Sequence, residues 1–292
     1  MTAPERYSYR STDGTELAGY RWAPSGPRTV GSVVIAHGMG EHLRRYDHVA
    51  RALNAQGLAV YGHDHRGHGA SIPVGGSPGA LGPGGWRALV DDLNLSVAKA
   101  RSDHPDKPVA IIGHSMGSFA TQQFLVDHAR DVDAVVLSGT AALDLLESAV
   151  DLSAGVDLST FNAPFEPART EYDWLSRDPD EVDAYIADPL CGFGIDSESA
   201  RTMFAGARDA ADPVRLGLLP DNLPMYLAVG SRDPVNADLA LVHALADRYR
   251  AAGLTDVTVR VYDGARHEIF NETNRSETID DLVRWLVRAL ST

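Results

Sequence analysis

The segment Gly113-His114-Ser115-Met116-Gly117 holds a serine between two glycines. The apolar run Val109-Ala110-Ile111-Ile112 leads into it, and the helix-compatible stretch SFATQQFLVDHA follows. A serine set between a strand and a helix by this pattern can act as a nucleophile. It must project from a turn so tight that its own backbone is strained, and its neighbours then have no room for side chains. The helix behind it aims its first N–H groups at negative charge developing in front of the serine. The plainer alternative is a tight turn with an idle serine.

A serine hydroxyl needs a base, and the base needs an orienting acid. On a strand-turn-helix scaffold these follow in the order Ser, Asp or Glu, His. Asp233 lies in Gly230-Ser231-Arg232-Asp233-Pro234, just past the apolar run Met225–Val229. His267 lies in Asp263-Gly264-Ala265-Arg266-His267-Glu268, just past Val257–Val261. Both are expected in loops at the carboxyl ends of strands, at the same edge as Ser115. Most of the eleven histidines precede Ser115 and so come in the wrong order, and His243 falls in a helical pattern as a surface residue. Asp221, before a strand, and Asp238, assigned to the following helix, are weaker candidates for the acid. The run Val33-Val34-Ile35-Ala36 ends in His37-Gly38-Met39-Gly40-Glu41-His42. A glycine-rich turn there lets a backbone N–H approach a substrate carbonyl, so the N–H groups of Met39 and Met116 are the expected oxyanion donors.

These residues need a scaffold, and the rest of the chain supplies its signals. Residues 6–22 alternate in period two around Asp13-Gly14, which predicts an opening hairpin. The runs at 32–36, 58–61, 109–112, 132–137, 225–229 and 257–261 are mainly apolar, as strands buried on both faces are. Between them, Trp86, Leu89, Val90, Leu93 and Val97 share one helical face. So do Leu239, Val242, Leu245 and Tyr249, and so do Ile279, Leu282, Val283, Leu286 and Leu290. Alternation of this kind predicts an α/β fold with a mainly parallel central sheet flanked by helices. The connection from Leu137 to Met225 is far longer than one crossover requires. Within it, residues 141–212 carry 16 Asp and Glu against 4 Arg and no Lys, a net of −12 out of −14 for the whole chain. We therefore expect a core of 1–140 and 213–292, and an inserted acidic cap of 141–212 over the carboxyl ends of the strands.

The motifs HGMGEHLRRY, YGHDHRGHGAS, GHSMGS and SRDPDEVDAYIADPL together resemble the monoacylglycerol lipase and lysophospholipase group of α/β-hydrolases. The resemblance spans nearly all of the core and reaches into the cap. It implies the α/β-hydrolase fold, the triad Ser115, Asp233 and His267, and oxyanion donors at Met39 and Met116. It also implies that Glu41 and Arg45 shape a polar pocket near the glycerol head of a substrate, with Tyr185 of the cap close by. For Glu41 and Arg45 the alternative is a structural pair that anchors the loop.

The bulk properties bound the partners. A charge of −14 argues against nucleic acid and anionic membrane surfaces. No apolar run approaches the ~20 residues of a membrane helix. The polar start MTAPERYSYRSTDG has no signal-peptide core, so a cytoplasmic protein without stable membrane insertion is expected. Cys191 is the single cysteine, which excludes an internal disulfide, and its setting shows no partner base. No cofactor is expected. His63, Asp64, His65 and His68 form the one cluster that would suit a metal hydrolase, but the turn that holds them reads as structural. The expected activity is hydrolysis of small carboxylic esters, such as monoacylglycerols of short to medium chain. Thioester or aminopeptide cleavage by the same triad is the alternative, with a metal hydrolase or a non-catalytic binding protein behind them. The acidic cap disfavours docking on anionic lipid.

Overall fold

The computed structural model describes residues 3–24, 26 and 28–291. Residues 1, 2, 25, 27 and 292 of the expected core lie outside this description. Eight strands form one sheet: β1 (Glu5–Arg10), β2 (Glu16–Trp22), β3 (Gly31–Ala36), β4 (Leu58–His63), β5 (Val109–His114), β6 (Ala134–Ser138), β7 (Met225–Gly230) and β8 (Val257–Tyr262). Their order is β1-β2-β4-β3-β5-β6-β7-β8. The hairpin partners β1 and β2 are antiparallel, β2 runs antiparallel to β4, and every later pair is parallel.

All residues of β3 to β7 are buried. The period of two then divides them between two cores. Val34, Ala36, Ile111, Val135 and Leu227 face one core, while Val33, Ile35, Ile112, Val136 and Ala228 face the other. The first core is covered by α2 (Gly85–Asp103), α3 (Met116–His128) and α8 (Ala240–Ala251). The second is covered by α1 (Asp47–Ala55) and α9 (Arg275–Ala289). Each helix presents the stripe its sequence pattern calls for, such as Leu282, Trp285, Leu286 and Ala289 on α9.

Three details differ from the pattern. β8, at the edge of the sheet, is fully buried only at Tyr262 and exposes Arg260, so it is not covered on both faces. Helix α8 starts at Ala240, one residue after Leu239, and Asp238 lies in the turn before it rather than inside it. Ala237, Asp238 and Leu239 all have positive φ there, at 50°, 51° and 72°. Asn236 holds the turn, donating to Gly230 O at 2.9 Å and accepting from Leu239 N at 2.9 Å. β6 begins at Ala134, two residues later than the apolar run from Val132.

Residues 139–224 connect β6 to β7 and hold α4 (Leu143–Leu146), α5 (Pro179–Ala187), α6 (Ser197–Ala210) and α7 (Pro213–Leu216). Helix α6 packs on α2 and α3. Part of the acidic charge in this segment is paired with arginines of the surrounding structure. Asp144 binds Arg248 at 2.6 and 2.8 Å, and Glu181 binds Arg275. The pairing also runs the other way, since Arg177 reaches the fully buried Glu272 at 2.9 Å.

Candidate active site

Ser115 is the single residue between β5 and α3. Its φ of 50° and ψ of −121° lie where a non-glycine residue is strained. The neighbours hold it there. Ser115 N donates to Ser138 O at 2.9 Å, and Ser115 O accepts from Ser118 N at 2.8 Å and Phe119 N at 3.1 Å. A Cβ at Gly113 would collide with Thr121 Oγ1 and Gly117 O, and one at Gly117 would overlap the carbonyls of Ala36 and His37. The two glycines of the motif therefore let the elbow pack against β3 and its own helix.

Asp233 follows β7 and His267 follows β8, so the parallel sheet brings both to the edge where Ser115 projects. His267 Nδ1 lies 3.0 Å from each carboxylate oxygen of Asp233, and both side chains are buried. Val235 N also donates to Asp233 Oδ1 at 2.9 Å, which fixes the carboxylate. Burial disfavours the charged imidazole of His267. The Asp233 charge and hydrogen bond outweigh burial, and the pKa is raised above the ordinary 6.5. His267 Nε2 is buried with no hydrogen-bond partner, on the wall of a cavity that Ser115 also lines. Without substrate, bonds between a nucleophile and its base are often open. Neighbouring His114 is engaged with Ser138 Oγ at 3.1 Å, and burial lowers its pKa to about 4.

The loop after β3 completes the edge. Gly38 N donates to Glu41 Oε1 at 2.6 Å, and a Cβ at Gly38 would crowd Glu41, His114 and Ser115. Gly40 O accepts from Tyr185 Oη at 2.8 Å and from Gly192 N at 3.0 Å, which ties the loop to the segment above it. Among the described residues, no hydrogen-bond acceptor is seen for Met39 N or Met116 N.

Glu41, Arg45 and Tyr185 lie together and are also engaged by Gly38, Tyr46, Glu268 and Gly40. Arg45 binds Glu41 at 2.8 Å and Glu268 at 2.5 and 2.8 Å, and its guanidinium lies 4.9 Å from the Tyr185 ring centroid. Tyr46 Oη donates to Glu41 Oε1 at 2.7 Å. Burial would raise the pKa of Glu268, but the Arg45 charge holds it below the usual carboxylate range. Glu41 and Tyr185 face the cavity beside Ser115, whereas Arg45 braces the carboxylates from outside its lining. Glu268, adjacent to His267 in sequence, escaped the sequence reading. Its contact with Arg45 spans 223 residues and has no local signal.

Two cavities meet at Ser115. One, of about 480 Å³, is lined by Met39, Met116, Phe119, Leu146, Phe161 and Phe204 among others, and the polar side-chain groups in its lining are the Ser115 hydroxyl and the Trp174 indole N–H. The other, of about 250 Å³, is lined by Glu41, His114, Tyr185, His267 and Glu268 on its polar sides. Met39, Ser115, Leu158 and Trp174 border both.

The other candidates lie elsewhere or are engaged. Asp221 precedes β7, at the opposite end of the strand from Asp233, and His243 is exposed on α8. His63 Nδ1 pairs with Ser96 Oγ at 2.9 Å, and His68 Nδ1 with Arg66 O at 3.0 Å. Asp64 accepts from Leu43 N, Ala70 N and Tyr20 Oη at 2.8 to 3.1 Å. His65 bonds His37 O at 3.1 Å. These residues brace loops rather than converge on one point. Among the described residues only His42, Asp188 and Cys191 bring three donor atoms within 4.8 Å of one another. His42 Nε2 and Asp188 Oδ2 are 2.9 Å apart there, a bond that fastens the turn after α5 to the loop after β3. No described helix is long and apolar enough to cross a membrane.

The chain resembles known proteins over most of its length. The model of the family described as serine aminopeptidase, S33, matches residues 27–274. A monoacylglycerol lipase of Mycolicibacterium smegmatis is 34% identical over 290 residues, covering 97% of each chain. The monoglyceride lipase of Mus musculus is 31% identical over 267 residues, 90% of this chain and 83% of its own. Among solved structures, a highly thermostable carboxyl esterase from Bacillus coagulans in complex with glycerol superposes with a TM-score of 0.87. It is 25% identical and covers 99% of this chain and all of its own. The chain belongs to the family described as serine aminopeptidase, S33, as a monoacylglycerol lipase-like serine hydrolase of the α/β-hydrolase fold.

Proposed function

We propose that the protein hydrolyses monoacylglycerols and similar acyl esters of short to medium chain, through an acyl-enzyme on Ser115, in the cytoplasm. Carboxylic ester hydrolysis as such follows from its relatives. The observation that carries the finer reading is the meeting of two unlike cavities at Ser115. An apolar cavity suits an acyl chain, and a polar chamber on the other side suits a hydroxylated alcohol. The two monoacylglycerol-cleaving relatives and the glycerol-bound esterase support the same assignment.

In this reading, His267, oriented by Asp233, takes the Ser115 proton as Oγ attacks the ester carbonyl. The N–H groups of Met39 and Met116 stabilise the oxyanion. His267 then protonates the leaving alcohol, and water repeats the sequence to release the acid. The Glu41–Arg45–Glu268 network holds Gly38 and so the loop that presents Met39. Residues 141–212 serve as the cap that roofs both cavities, and their acidity steers the protein away from anionic lipid surfaces.

A free α-amino group would need an uncommitted carboxylate beside Ser115. Of the carboxylates lining the chamber, Glu41 and Glu268 are both engaged by Arg45, and Asp233 behind them is engaged by His267. This favours esters over aminopeptide substrates. The test is a panel of monoacylglycerols, p-nitrophenyl esters, an acyl thioester and an aminoacyl anilide, with Ser115→Ala as control. The ester rates should be highest, and Ser115→Ala should lower kcat by about 10⁴-fold or more with the melting temperature kept. Near wild-type turnover by that variant, or a preference for the anilide, would overturn the reading.

A further inference from the structure

Trp174 belongs to no motif discussed so far, yet it stands at the centre of the site. It is 2% exposed and borders both cavities. Its backbone is held from two sides: Trp174 N donates to Asn162 Oδ1 at 2.9 Å, and Trp174 O accepts from His267 N at 3.3 Å. Its ring lies against His267, with centroids 4.7 Å apart. The indole Nε1 is buried and has no hydrogen-bond partner. An indole N–H can only donate, and a buried donor without an acceptor is costly enough to call for an explanation.

The neighbouring polar groups are already matched. Glu41 and Glu268 hold Arg45, Tyr185 Oη donates to Gly40 O, and His114 bonds Ser138. Two side-chain nitrogens of residues that line the cavity, Trp174 Nε1 and His267 Nε2, are buried without a partner, on rings that touch. Proton transfer claims His267 Nε2. The Trp174 N–H then requires an oxygen that arrives with the substrate.

We propose that Trp174 is a specificity residue whose N–H donates to a hydroxyl oxygen of the alcohol part of the ester, so that the site selects esters of glycerol-like alcohols over plain alkyl esters. The inference rests on the acyl-enzyme reading above. A site that offers a buried donor rejects an analogue that cannot meet it, because the donor then stays unpaired. The same contact favours glycerol over water as the acceptor of the acyl group. In that step a glycerol hydroxyl oxygen attacks the acyl carbonyl and His267 takes its proton. Ser115 Oγ leaves and recovers a proton from His267, giving a monoacylglycerol.

Trp174→Phe keeps a flat ring against His267 and removes the donor together with part of the indole's area. Wild type and variant are supplied with p-nitrophenyl octanoate in aqueous glycerol, and the ratio of monooctanoylglycerol to octanoic acid is measured. The ratio is internal to one acyl-enzyme and so does not depend on how much enzyme is folded. It should fall about tenfold in the variant. In wild type alone, kcat/KM should favour monooctanoylglycerol over propyl octanoate by about tenfold. An unchanged ratio in the variant, parity of the two esters in wild type, or equal losses on both esters in the variant would each overturn the inference while leaving ester hydrolysis intact. Failure of wild type to release p-nitrophenol, or release by Ser115→Ala at the wild-type rate, would instead overturn the acyl-enzyme reading and the inference with it.

Discussion

The two cavities at Ser115 are built on opposite physical terms. The larger one offers almost only apolar surface, so its binding energy comes from burial, which has no direction and tolerates any chain that fits. The smaller one is walled by buried charges and hydrogen-bonding groups that are mostly engaged with one another. A cavity of the first kind gives affinity. One of the second kind gives selectivity, because a poorly matched guest leaves buried groups unpaired. On the proposed reading, the contrast would let one serine accept a range of acyl groups while remaining particular about the alcohol.

The comparison can be broken most forcefully from the polar side. Asp233→Asn replaces the carboxylate that receives both 3.0 Å contacts from His267 Nδ1, and should lower kcat by about 10⁴-fold on every ester whatever its chain. A loss confined to long-chain esters would contradict the division of roles. Arg45→Met leaves Glu41 and Glu268 buried without their cation and should cost about 3–5 kcal/mol of stability, read as a lower Tm in a thermal melt. A variant as stable as wild type would show that the network does not hold the polar wall.

A milder probe is pH. His267 must be neutral to act as base, and its pKa is raised. Its protonated form therefore persists to higher pH, and kcat/KM should fall about tenfold per unit of pH below a midpoint that lies above 6.5. A midpoint well under 6.5 would mean that the Asp233 charge does not dominate. The smallest effect belongs to the apolar side. Each added methylene in a series of p-nitrophenyl esters should raise kcat/KM by up to about fourfold, until the apolar cavity is filled. A flat series from the shortest ester would place the acyl chain elsewhere.

Much of this site is legible in the sequence. The apolar runs predict six strands to within a few residues, and the glycines around Ser115 announce its turn. Asp233 and His267 could be named because each follows a readable strand in the required order. The role of Arg45 was not legible in the same way. Its main partner, Glu268, is 223 residues distant, and the choice between a pocket residue and a loop anchor needed both carboxylates in view. The acidity of residues 141–212 was legible as a charge count, but its pairing with Arg248 and Arg275 was not.

What the sequence determined by itself is local and periodic: burial alternating along strands, apolar stripes on helices, and the steric demands of a strained turn. These depend on neighbours in the chain. The tertiary structure decided what depends on neighbours in space. It brought the loops after β3, β5, β7 and β8 to one edge, because parallel strands end together there. It divided the surroundings of Ser115 into an apolar and a polar side, and it set the unmatched N–H of Trp174 against His267. No local pattern encodes such a juxtaposition, since it arises only when distant segments compete for the same buried space.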